Sequence, residues 1–250
     1  MLTEKQTQFY RREGYLAPLP IAPPTDAARY QEEFNRLEKA EGREKCQIGI
    51  LDRHFDEPFI WELASHPRVL DCVEALIGRD ILLMATHAFC KYGDPNASSF
   101  VAWHQDVTYW GLEPPTALTA WYAIDDSGVE NGCMRAVPRS HLNGVLEHGV
   151  SKEEGNLLSV NQEIAVSKEE ESEAVDFVLK AGEISLHDGR LVHGSRPNRS
   201  NRRRCGMTLR YISPNVRQTV RNSHGRGWKV ALVRGEDRYG HWDLQDAPFS

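Results

Sequence analysis

The chain lacks an excess of basic charge, a long apolar run and any close pair of cysteines, and each absence removes a class of function. Lys and Arg number 30 against 36 Asp and Glu, for a net charge of -6 and a pI near 5.9. A surface of that sign gives no diffuse attraction to nucleic acid. No run of about 18 apolar residues and no charged-then-apolar leader occurs, so neither a membrane span nor a signal peptide is expected. The five cysteines (Cys46, Cys72, Cys90, Cys133, Cys205) are scattered and odd in number. That pattern supports neither a disulfide framework nor a zinc site, and reduced thiols in the cytoplasm are the plain expectation. No internal repeat or second-domain linker appears, so the 250 residues are read as one domain.

What is present reads as a helical front on a β-rich body. Thr3 is placed to cap a helix through Arg12 that Gly14 ends. Pro18 to Pro24 suggests a connection, Thr25 to Ala40 a second helix, and Glu57 to Leu76 a third, broken near Pro67. After Gly78 the pattern changes to short β-branched and aromatic runs bounded by Gly, Pro, Asn and Asp. The runs are Ile81 to Tyr92, Ala102 to Tyr109, Ala117 to Ile124, Met134 to Val137, Val175 to Leu179, Ile184 to Leu186, Val192-His193 and Cys205 to Ile212. Strands in that number form two packed sheets, a jelly roll of cupin type. The expected layout is mainly β with flanking α-helices: helices over about 1–77, a core over about 81–214 and a C-terminal extension over 215–250. The acid-rich stretch Glu147 to Glu173 is too polar for a core and reads as a surface excursion beside the barrel mouth, a lid or a solvated loop.

Three His-x-Asp triplets occur: His54-Phe55-Asp56, His104-Gln105-Asp106 and His241-Trp242-Asp243. Roughly one or two His-x-acid matches are expected by chance, so context must separate them. His241 is followed by too little chain to supply a further ligand strand, and His54 precedes a helical stretch. His104 lies between two β-rich runs, and in an extended segment residues i and i+2 share a face. A third ligand comes from His193, which ends the apolar Leu191-Val192 run, whereas the competing His187-Asp188-Gly189 reads as a turn. Two histidines and one carboxylate that leave coordination positions open are the donor set of non-haem Fe(II) oxygenases.

Around these residues the chain resembles the phytanoyl-CoA dioxygenase family. The resemblance rests on Trp103-His104-Gln105-Asp106, on Glu130-Asn131-Gly132-Cys133-Met134 followed by Val137-Pro138-Arg139-Ser140-His141, and on His193-Gly194-Ser195…Asn198…Arg204, and it spans about residues 2–214. Arg139 departs from it, standing where the family usually has glycine, which concerns a turn rather than the chemistry. The resemblance implies a double-stranded β-helix. It also implies Fe(II) on His104, Asp106 and His193, with 2-oxoglutarate and O2 as co-substrates. Arg204, eleven residues beyond His193, matches the family arginine for the distal carboxylate of 2-oxoglutarate. Arginine suits that task because its guanidinium is always charged and binds bidentately. Ser195, Trp121 and Lys91 match further positions of that pocket. Related halogenases replace the carboxylate ligand with a small residue; Asp106 therefore favours hydroxylation of a C–H bond, or a related oxidation such as desaturation, with release of succinate and CO2.

The primary substrate is expected to be a small molecule, with no nucleic acid and no membrane as partner, and the oligomeric state is open. Alternation on the last strand puts Arg204, Gly206, Thr208 and Arg210 on one face. Arg210 then meets either an anionic substrate or an internal carboxylate, and His87, Tyr109 and Trp110 are candidate pocket walls. Two other readings stay open: a cupin-like metalloenzyme that does not use 2-oxoglutarate, and a non-catalytic ligand-binding barrel.

Overall fold

Thr3 starts the first helix by a reciprocal cap: its Oγ1 accepts from Gln6 N at 3.3 Å, and the Gln6 side chain accepts from Thr3 N at 2.9 Å. Gly14 ends that helix, α1 (Glu4–Glu13), in the left-handed region at φ 87. The structure is a computed structural model that describes residues 2–151, 154–158, 162–219 and 227–249. Strand β1 (Tyr15–Pro20) follows at once, so Pro18 and Pro20 lie in a strand instead of the expected connection. They are tolerated because β1 is an edge strand, where a missing N–H need not break a ladder on both sides.

Helices α2 (Pro24–Glu41), α3 (Arg43–Ile48), α4 (Pro58–Ala64) and α5 (Pro67–Ile77) complete the front. The break before Pro67 falls at His66, whose extended ψ of 125 reflects the clash of a proline ring with a preceding helical residue. The β-rich body comprises β2 (Ile81–Lys91), β3 (Val101–His104), β4 (Leu112–Glu113), β5 (Leu118–Ala123), β6 (Met134–Ala136), β7 (Gly149–Val150) and β8 (Gln162–Glu163). After α6 (Lys168–Glu173) come β9 (Val175–Asp176), β10 (Glu183–Asp188), β11 (His193–Ser195), β12 (Arg204–Ile212), β13 (Arg217–Gln218), β14 (Val230–Arg234) and β15 (Leu244–Gln245). The acid-rich excursion thus contains a β7–β8 pair and α6, and Arg135 of β6 ties α6 down through Glu171 at 3.1 Å.

Two sheets carry the fold, a seven-stranded one in the order β1-β10-β5-β12-β2-β14-β15 and a four-stranded one in the order β3-β11-β6-β9. The large sheet has two distinct faces. Leu118, Ala120 and Tyr122 of β5, Ile184 and Leu186 of β10, and Cys205, Met207, Leu209 and Tyr211 of β12 pack with Tyr30, Phe34 and Leu37 of α2 and the other helices. Their alternating neighbours point the other way, toward the small sheet. There Trp121 and Ala123 join Met134, Ala136 and Leu191 in a second cluster. Ser185, His187, Thr119, Arg204 and Thr208 are buried on that same inward face. The helices therefore cover the apolar side and leave the polar side for a site between the sheets.

Gly206 makes room for one wall of that site. A Cβ at this position would lie 1.9 Å from Trp121 Cζ2, so the indole lies flat against bare backbone. Gly206→Ala is expected to cost about 1–3 kcal/mol through overpacking. Urea denaturation checks it: a midpoint equal to that of the wild type would show that the ring moves away freely.

Candidate metal centre

Strands β3 and β11 run antiparallel with His104 opposite His193, which brings the two rings to 4.2 Å between centroids. Asp106 follows through an extended Gln105 (φ -112, ψ 138) and opens a single 3-10 turn, Asp106–Tyr109. The expected strand from Ala102 to Tyr109 therefore stops at His104. Gln105 explains the stop, because its backbone N donates to His148 Nε2 at 3.1 Å instead of to a neighbouring strand. Its side chain donates to Gly144 O at 2.8 Å and Arg190 O at 2.6 Å, and accepts from Leu146 N at 2.8 Å. Since Gln105 is itself extended, Asp106 still faces the same way as His104, with Oδ1 3.9 Å from His104 Nε2. One ligand atom from each of His104, Asp106 and His193 lies within 4.8 Å of the others, and all three residues are buried.

The protonation states suit a divalent cation. Nδ1 of His104 lies 2.9 Å from Ala102 O, and Nδ1 of His193 lies 2.9 Å from Leu191 O. A carbonyl only accepts, so each Nδ1 carries the proton and each Nε2 keeps a bare lone pair. Burial lowers both imidazoles below their ordinary range, His193 furthest, with His104 and His187 adding to it. Burial would raise the Asp106 carboxyl, yet Arg210, His187 and His193 together outweigh it and hold the group well below the usual carboxylate range. Two neutral nitrogens and one carboxylate are thus presented at neutral pH, the donors that Fe(II) takes in its three-residue sites.

Lys91, Ser195, Trp121 and Arg204 form a second group next to the triad. Lys91 stands opposite Arg204 in the β2–β12 ladder. Its Nζ donates to Ser195 Oγ at 2.5 Å, Arg196 O at 2.6 Å and Ser195 O at 3.3 Å. Arg204 lies over the Trp121 ring at 4.7 Å, and its Nε donates to Ser127 Oγ at 3.4 Å. Burial pushes both cations down, Lys91 well below its ordinary value with Arg204 adding to the effect, and among the described residues no carboxylate opposes it. The Arg204 guanidinium, which stays charged without an anion beside it, makes an anion-binding site.

The candidate substrate residues divide differently. Arg210 Nη2 lies 3.7 Å from Asp106 Oδ1, and its guanidinium sits over Trp110 at 5.0 Å. His87 is held by Ile48 O at 2.7 Å from Nε2 and packs on Phe89 at 4.2 Å. The Tyr109 side chain lies outside the described residues. His187, read from sequence as part of a turn, is in strand β10, buried, with Nε2 3.4 Å from Asp106 Oδ2. Thr119, which no motif singled out, donates to the same oxygen at 2.9 Å. Only strand register could have found these two. Arg139 adopts φ 68 at the position where glycine is usual, the left-handed turn that glycine would favour. A groove of about 600 Å³ near Glu38, Tyr92, Asp125 and Arg203 lies on the helix side of the sheet, and its charges pair with one another.

Burial, then Arg210, holds His87 down to about 3. The unfolded chain binds its proton near pH 6.5 and the fold does not, so this stability is complete above pH 6.5 and is lost as pH falls toward 3. His104 and His193 act in the same direction. The metal-free protein should therefore lose urea resistance between pH 7 and pH 5, and His87→Asn should flatten that dependence. A slope unchanged in the variant would remove His87 from the account.

A sequence model described as phytanoyl-CoA dioxygenase matches residues 10–206. The peroxisomal phytanoyl-CoA dioxygenase of Homo sapiens is 25% identical over 235 residues, covering 85% of this chain and 69% of that protein. The apo structure of ThoJ, a non-haem monooxygenase, superposes with a TM-score of 0.81 at 30% identity and covers 98% of this chain and 89% of its own. The epimerase SnoN, solved with Fe3+, α-ketoglutarate and nogalamycin RO, superposes with a TM-score of 0.71 at 26% identity over 86% of this chain and 85% of its own. These similarities accord with the jelly roll expected from the strand pattern.

Proposed function

Because the chain belongs to the phytanoyl-CoA dioxygenase family, we propose that it is an Fe(II)- and 2-oxoglutarate-dependent dioxygenase that hydroxylates an unactivated C–H bond of a small metabolite. Succinate and CO2 are the products of the co-substrate in that reading. The observation that carries it is the buried Arg204 guanidinium, charged, without a carboxylate partner among the described residues and close to a complete two-histidine, one-carboxylate triad. A metalloenzyme that did not use 2-oxoglutarate would leave Arg204 as a buried charge with no compensation.

His104, Asp106 and His193 would hold the iron, which supplies, with 2-oxoglutarate and O2, the oxidising power that no side chain has. The protein's share is binding, orientation and exclusion. Nδ1–H bonds to Ala102 O and Leu191 O fix the two imidazole planes before any metal arrives. Arg204 receives the distal carboxylate of 2-oxoglutarate and replaces the water that the ion loses on entry. Lys91 donates to one lone pair of Ser195 Oγ, which leaves the Ser195 hydroxyl proton free to point at that carboxylate. Trp121 walls the pocket and lies against the Arg204 guanidinium. His87, Tyr109, Trp110 and Arg210 are proposed as the walls that meet the primary substrate. The proposed compartment is the cytoplasm, in keeping with five free, buried thiols.

SnoN, with iron and α-ketoglutarate in its structure, is an epimerase, so hydroxylation and use of the iron/2-oxoglutarate centre are separate questions. Anaerobic addition of 2-oxoglutarate to Fe(II)-loaded protein tests the centre. The expected result is a weak visible charge-transfer band that His193→Ala abolishes. Arg204→Ala should need roughly 10²-fold more 2-oxoglutarate, the scale of removing one partner of a buried charge pair. Fully loaded iron with no band in the wild type would overturn the assignment.

A further inference from the structure

Three side chains outside the ligand set converge on the Asp106 carboxylate, and all come from one transverse row of the large sheet. His187 on β10 stands opposite Thr119 on β5, and Thr119 stands opposite Arg210 on β12. Thr119 Oγ1 donates to Asp106 Oδ2 at 2.9 Å, and His187 Nε2 approaches the same Oδ2 at 3.4 Å. Arg210 Nη2 lies on the other oxygen, 3.7 Å from Oδ1. Oδ1 is also the oxygen that lies 3.9 Å from His104 Nε2.

The two oxygens are therefore not equivalent. A carboxylate oxygen offers about two lone-pair sites. At Oδ2 both are addressed by protein donors. Thr119 is fully buried and His187 1% exposed, so water does not compete for them. A carboxylate only accepts, so His187 turns an Nε2–H toward it. The other ring nitrogen, Nδ1, is buried with no partner among the described residues, which leaves the contact with Asp106 as the polar interaction that orients the ring.

We propose that His187, Thr119 and Arg210 are positioning residues that fix Asp106 as a one-oxygen metal ligand. Thr119 and His187 retain Oδ2, and Oδ1 is left for the ion. The proposal rests on the reading of the triad as the metal centre. Its consequence is open space: a carboxylate bound through both oxygens would take one of the positions that a bidentate co-substrate and O2 require. Arg210 draws the Oδ1 charge and is itself held over the Trp110 ring at 5.0 Å.

The test uses Co(II) alone as probe, titrated anaerobically into the full chain, with visible absorption reporting the coordination number. Thr119→Val keeps the side-chain shape and removes the hydroxyl, Thr119→Ser restores it, and His187→Gln keeps a donor near the Nε2 position. Thr119→Val is expected to weaken Co(II) binding about 10–100-fold and to alter the band shape, as removal of an outer-shell partner does, with most of the affinity regained in Thr119→Ser. His187→Gln should lie between them. A merely structural role would lower binding in Thr119→Val without a new spectrum and would not be rescued by serine. Unchanged affinity and spectrum in Thr119→Val, alongside lost binding in His104→Ala, would overturn the positioning role alone. Unchanged binding in His104→Ala would overturn the metal centre beneath it.

Discussion

The site depends on one backbone register, the antiparallel pairing that sets His104 of β3 against His193 of β11. Ladder hydrogen bonds hold two imidazoles side by side, tilted 49° to one another, in a way that neither side chain could achieve alone, because each ring's own tether reaches only to a carbonyl two residues back. A slip of one residue would turn one ring to the opposite face of its strand and dissolve the ligand set. Short strands are weakly held by themselves. β3 and β11 are kept in place by β6 on one side and by Gln105 at the end of the ladder.

Electrostatics inside the barrel follow from the division of the large sheet into two faces. The helices remove its apolar side from water, and burial of that area stabilises the domain. The same packing fixes the opposite face, where polar and charged groups sit in a low dielectric. Each one acts strongly there: Arg210 offsets the cost of burying Asp106, while Arg204 adds to the cost of charging Lys91. The fold sustains the unbalanced Arg204 guanidinium because the surrounding strands over-determine where that side chain lies.

Much of this was legible in the sequence, and the limits have physical causes. The His-x-Asp triplet, the third histidine and the arginine beyond it were visible because they lie at strand ends with composition on both sides to support them. The face shared by Arg204, Gly206, Thr208 and Arg210 followed from alternation alone. What stayed hidden was set by partners remote in sequence. Thr119 and His187 gain their meaning from standing beside one another across two strands 68 positions apart. The end of the strand at His104 depends on His148, which accepts the Gln105 amide from 43 positions away. Pro18 and Pro20 suggested a connection because a proline's place in a sheet depends on whether its strand is an edge, which local sequence does not contain. Strand β14 lies beyond the recognisable pattern and joins β2 through pairing that no motif announces.

Gln105, between two of the triad residues, separates what the site must keep from what it is free to vary. Its side chain grips the backbone of Gly144 and Leu146 and no side chain of that loop. The loop's outward residues, Leu142 at 65% exposure and Val145 at 45%, are left with no part in the attachment. The Gln105 backbone N–H adds one side chain to that grip, the His148 ring, and Leu146 packs with Val137, Ile164 and Val192. Leu142 and Val145 can therefore be rewritten for a different molecule while His148 and Leu146 keep the loop fixed to the segment that carries His104 and Asp106.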